Sequence, residues 1–84
     1  MNEQRGPYTV AQAQYTLVKN WRGTWDLTTI TGKVLATFMC KRLHLEQSTG
    51  HAVYLWTCEG HRLANDPQGA VNTWLAQHAG EVAA

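Results

Sequence analysis

Carboxylates are scarce in this chain: Asp26 and Asp66 are the two aspartates among six acidic residues. Neither lies where it would orient a histidine against a nucleophile, so the third member of a hydrolytic triad is missing. Seven cations leave a net charge of +1, too small to draw the chain toward nucleic acid or an anionic membrane by a global field. Charged residues make up 15% of the sequence against 44% hydrophobic, a balance that excludes a disordered chain. No apolar run approaches the roughly 20 residues of a membrane-spanning helix. Two cysteines are too few for a disulfide framework, and Met1–Pro7 lacks the charged-then-apolar profile of a secretory signal. A cytoplasmic location follows as the expectation, with both thiols reduced and no membrane partner. The sequence contains neither an internal repeat nor a low-complexity stretch.

Tryptophan, by contrast, is plentiful. Trp21, Trp25, Trp56 and Trp74 are many for 84 residues, and each can bury about 200 Å². A chain of this length forms one domain and must spend its largest apolar side chains on the core. At least three of the four are therefore expected inside.

Residues 1–8 are polar and contain Gly6-Pro7, which suggests a flexible arm before a single domain over 9–80. Thr9 and Gln12 have the spacing of a capping box. Val10, Ala13, Leu17, Val18 and Trp21 fall on one helical stripe that Gly23 would end, predicting a helix over about 9–22. From Thr24 the composition turns to β-formers, and Trp25, Leu27 and Thr29 share one face of a first strand. Thr31-Gly32 turns it back into residues 33–45. That segment fits a helix as well, but the alternation at Leu43-His44-Leu45 favours a strand. Its apolar set is even-numbered up to Cys40 and odd-numbered at Leu43 and Leu45, so a β-bulge is expected across Lys41-Arg42. Ala52–Cys58 reads as a third strand, with a Glu59-Gly60 turn after it. Asp66-Pro67 opens a last helix, with Ala70, Val71, Trp74, Leu75 and His78 on one face and Gly80 as its stop. Residues 81–84 are expected to fray.

The predicted fold class is α+β: helix, three-stranded antiparallel sheet, helix, in two layers. A winged-helix-like arrangement, with 30–45 helical and 51–64 as the wing, is the alternative. The order is similar to that of double-stranded-RNA-binding domains. Those domains resemble one another in a lysine-rich start to the last helix; Asp66-Pro-Gln-Gly-Ala70 has no cation there, so no residues are carried over.

Cys40-x3-His44 and Cys58-Glu-Gly-His61 place four ligand-type residues as two close pairs, the way tetrahedral zinc sites are assembled. Cys40 would lie opposite Cys58 if the intervening loop centres near Thr49. The spacing lacks a Cys-x2-Cys pair, and the expected bulge turns His44 away from Cys40. Cys40, His44, Cys58 and His61 are thus candidate zinc ligands, set against a plainer expectation of two small buried thiols, surface histidines and no cofactor. The missing orienting group and the small size argue against an enzyme.

What remains is recognition. Lys41, Arg42 and Arg62, with Trp25, Tyr54 and Trp56, form a candidate partner-binding set on the sheet, since arginine and aromatic residues dominate binding hot spots. The expected function is a small non-enzymatic regulator or inhibitor that binds a protein partner, with a homodimer as one form it could take. A nucleic-acid-binding regulator, with or without structural zinc, is the alternative.

Overall fold

The computed structural model describes residues 3–45 and 49–78, with His44 described by its backbone alone. Six strands come first: β1 (Gln4–Val10), β2 (Ala13–Lys19), β3 (Trp25–Thr29), β4 (Val34–Leu45), β5 (Ala52–Cys58) and β6 (His61–Ala64). One helix follows, α1 (Pro67–Gln77). The strands form one antiparallel sheet in the order β1-β2-β3-β4-β5-β6. Helix α1 packs against β6 and β5 at one side of the sheet and also against β1 at the other. A sheet whose two edges reach the same helix must curl, and the result is a half-barrel whose open side α1 covers.

Period-two alternation builds the core. Tyr15 and Leu17 on β2, Trp25 and Leu27 on β3, Phe38 on β4, and Trp56 and Cys58 on β5 all point inward. Ala70, Val71, Trp74 and Leu75 meet them from α1. Phe38 and Trp74 lie 6.5 Å apart, and Trp25 and Trp56 lie 5.8 Å apart, both pairs tilted as aromatic quadrupoles prefer. Val71 is fully enclosed, and burial of such a side chain contributes about 2 kcal/mol.

This architecture overturns both expected folds. No helix spans 9–22: residues 4–10 and 13–19 are strands, joined where Val10 pairs with Ala13. Ala11 (φ 51°) and Gln12 (φ 70°) are both left-handed, the type I′ geometry that matches the twist of a two-residue hairpin. Gln12 therefore turns the chain and completes no capping box. The stripe that suggests a helix satisfies both periods, and the β-branched and aromatic content (Thr9, Val10, Tyr15, Thr16, Val18) favours the extended one. Gly23 does adopt a positive φ, 84°, but in the β2–β3 turn. Residues 4–8, expected as an arm, belong to β1.

The winged-helix alternative fails because 34–45 is extended. A register shift between Arg42 and His44 leaves Leu43 as the extra residue, just past the expected position. Cys40 pairs with Trp56, two residues short of Cys58: the bulge consumes one residue of β4, and the register set by Leu45 opposite Ala52 accounts for the other.

Helix α1 starts where Asp66 caps it, its carboxylate accepting from the Gly69 amide at 2.7 Å. Pro67 follows at the first helical position. His78 ends the helix, its ring stacked on Trp74 at 4.2 Å between centroids. Gly80 and the tail 81–84 lie outside the described residues.

Candidate functional site

Strand β4 is twelve residues long, more than twice the length of its neighbour β3. Pairing between them covers Val34–Phe38 only, and pairing of β5 with β6 begins at Trp56. Lys41–Leu45 and Ala52–Leu55 therefore run on together as a two-stranded ribbon, paired to each other, while Met39 and Cys40, opposite Thr57 and Trp56, join it to the sheet. The ribbon fits a molecule measuring 44 × 29 × 23 Å. Cys40, Arg42 and Tyr54 share the face that continues the core, and Met39, Lys41 and Leu55 share the other. Leu43 and Leu45 are exposed, as are Met39 and Tyr54, so the ribbon mixes uncovered apolar side chains with Lys41 and Arg42. At its base the β2–β3 turn presents Trp21, 87% exposed, with the Arg22 guanidinium 4.9 Å from its ring centre.

The candidate partner-binding residues divide. Arg42 and Tyr54 are cross-strand neighbours on the ribbon. Lys41 is beside Arg42 in sequence and hence on the opposite face. Trp25 and Trp56 are core residues, only 4% and 2% exposed. Arg62 sits on β6 opposite Thr57, beside the Glu59-Gly60 turn at the far end of β5 from Tyr54. Alternation along β4 and the short β6 separate what the sequence groups.

Two cations escape the sequence reading. Arg5 and Lys19 lie 5.2 and 5.9 Å from the Trp25 ring centre and form its cover. Sequence pattern alone puts Arg5 in an arm and Lys19 in a helix. The missed apolar residues left a signal, because the change of phase at Leu43 and Leu45 marks side chains that cannot join the core face.

Among the described side chains, the candidate zinc ligands Cys40, Cys58 and His61 do not come together. Cys58 faces the core, while His61, its cross-strand partner, is exposed. Cys40 lies further along β4, and nothing is described of the His44 side chain. Among the described residues no three His, Cys, Asp or Glu side chains come together as a metal site would need. Both cysteines are free. Burial pushes both thiols above the usual value, opposed at Cys40 by Arg5. At Cys58 the nearby Glu59 adds to the rise, and a hydrogen bond with the Trp74 side chain works against it. Neither is the depressed-pKa thiolate of a nucleophilic cysteine.

A cleft of about 910 Å³ opens at the other end of the molecule, between the end of α1 and the start of β4. Leu35, Ala36 and Trp74 are among its apolar lining residues, and Glu59, His61 and Arg62 among its polar ones. Among the described residues no helix is long and apolar enough to cross a membrane.

No known family, curated protein or solved structure matches this chain. Function must be read from geometry.

Proposed function

We propose that this protein is a small non-enzymatic regulator or inhibitor that binds a protein partner through the β4–β5 ribbon. One observation carries the reading: β4 outruns β3, leaving its Met39, Leu43 and Leu45, with Tyr54 of β5, uncovered beside Lys41 and Arg42. A two-stranded ribbon gains no core by extending past the sheet, and exposed apolar groups among cations are the composition of a protein contact. The contact set becomes Lys41, Arg42 and Tyr54, joined by Met39, Leu43 and Leu45. Trp25 and Trp56 support it from beneath. The raised thiol pKa values support a non-catalytic role, and two unbonded cysteines fit a reducing cytoplasm. No metal is required.

Position-specific photocrosslinking in the native cells tests this. A crosslinking residue at Leu43 or Tyr54 is expected to capture a discrete protein, and the same residue at exposed Asn72 on α1 is not. Equal capture from Asn72, or none from the ribbon, overturns the reading. Nucleic acid is the competing partner, favoured by Arg5 and Lys19, two cations over the one Trp25 ring. Its signature is steep weakening of binding to single-stranded RNA or DNA as salt rises.

A further inference from the structure

We infer that the open edge of β4, from Met39 to Leu45, receives an extended acidic segment of the partner as an added strand. This rests on the protein-binding reading above and names its mode and chemistry. The ribbon has two backbone edges. On the β5 side, the Asn65 side-chain amide donates to the Tyr54 carbonyl at 2.6 Å, so that edge is blunted. On the β4 side, β3 ends its pairing with Trp25 opposite Phe38. The chain then leaves through the Asn20–Thr24 turn, which closes on itself by a bond from the Asn20 amide to the Thr24 carbonyl at 2.8 Å. Beyond Phe38 the outward amides and carbonyls of β4 have no strand beside them among the described residues, which is the template that strand addition uses. An incoming strand would prolong the line of β3, with Trp21 and Arg22 at its near end.

Charge selects the occupant. Lys41 and Arg42 project to opposite faces of β4, and Arg22 stands at the base; the described part of the ribbon, 41–45 and 52–55, carries no carboxylate. The nearby Asp26 carboxylate is engaged by Asn20 and Thr37, each at 3.0 Å. A second copy of this chain would bring its own Lys41 and Arg42 to the same edge, and like charges facing each other across a strand pair are destabilising. An acidic strand meets cations on both of its faces, with Met39, Leu43 and Trp21 available to its alternate apolar side chains.

A ten-residue peptide of paired glutamates alternating with paired valines, which puts both residue types on each face of a strand, is the probe, added to the full-length protein and followed by NMR and amide hydrogen exchange. Exchange is expected to slow at least tenfold within 39–45 and to stay unchanged at 52–55. Affinity is expected to fall at least tenfold in the Lys41→Glu/Arg42→Glu variant, whose exposed sites leave the core intact. It should fall as far when alternate peptide nitrogens are methylated, which removes backbone donors and keeps side chains. Equal binding of the methylated peptide overturns strand addition, while equal binding of a lysine–valine peptide overturns the acidic partner. Absence of peptide binding overturns the inference, and the crosslinks from Leu43 and Tyr54 then judge the protein-binding reading separately. Protection of 39–45 in a dimer of the chain alone assigns the edge to a second copy and overturns it too. Displacement of the peptide by single-stranded RNA of higher affinity overturns both readings.

Discussion

At the scale of single residues, Gly69 is a position of α1 where the usual helix-favouring substitution meets other atoms. Gly→Ala inside a helix ordinarily gains about 1 kcal/mol. Here an added Cβ would stand 2.8 Å from Asp66 Oδ1 and 3.0 Å from the Ala64 Cβ, inside contact distance of both. Gly69→Ala is expected to destabilise by about 1–2 kcal/mol in urea unfolding, reversing the usual sign. Asp66→Ala loses the cap and about 1 kcal/mol. Because the clash is partly with that carboxylate, the double variant should lose less than the sum. The tryptophans give a second residue-level contrast. Trp25→Ala opens a cavity beneath Arg5 and Lys19 and should cost about 3–5 kcal/mol, a large part of what a small domain has. Trp21→Ala, at an 87% exposed side chain, should leave the thermal midpoint nearly unmoved. Comparable losses from both would contradict the hairpin and restore Trp21 to the core of a helix.

At the scale of elements, the β1–β2 hairpin is where sequence and structure part, and the reason is physical. Val10, Ala13, Leu17 and Val18 satisfy the spacing of a helical stripe, and Tyr15 with Leu17 satisfies a strand; a short apolar run does not choose its own period. The usual arbiter is the turn, and Ala11-Gln12 carries neither the glycine nor the asparagine that advertises type I′ geometry. Both residues hold a left-handed conformation that L side chains disfavour. The paired substitutions Ala11→Asn and Gln12→Gly, which install an Asn-Gly turn, should stabilise the fold by about 1 kcal/mol. For a domain of this size that is a rise of about 4–8 °C in thermal midpoint, measurable by circular dichroism. A lower midpoint would mean the turn is not the one described. The elements whose signals agree were legible: alternation and β-branching marked the strands at 25–29 and 52–58, and Asp66-Pro67 marked the start of α1, whereas 34–45, which fits a helical face as well, was tipped to strand by the alternation at Leu43-His44-Leu45.

At the scale of the whole molecule, the half-barrel and the ribbon are separable. The core lies between the curled sheet and α1, and its buried residues end at Phe38 on β4 and at Trp56 on β5. Replacing 41–55 with a two-residue Asn-Gly turn between Cys40 and Trp56 should therefore leave one cooperative unfolding transition. The same truncation should abolish partner crosslinking from this end of the molecule. A truncated chain that fails to fold would place the ribbon in the core's support and weaken the case for it as a contact surface. The candidate site was half legible for the same reason. Lys41, Arg42 and Tyr54 could be named from composition, but strand lengths alone decide that Arg62 stands apart from them and that Trp25 and Trp56 are enclosed.

The sequence by itself determined the local facts: which stretches alternate, where a glycine or proline must turn or start the chain, and that a tryptophan-rich core was to be filled. Those follow from forces acting within a few residues of each other. Tertiary structure decided the state of residues 4–19, because β1 and β2 are strands only by virtue of β1 pairing with β2, β2 pairing with β3, and α1 packing on β1. It decided also what is left outside, since exposure on β4 depends on where β3 stops, and no residue of β4 encodes the length of its neighbour.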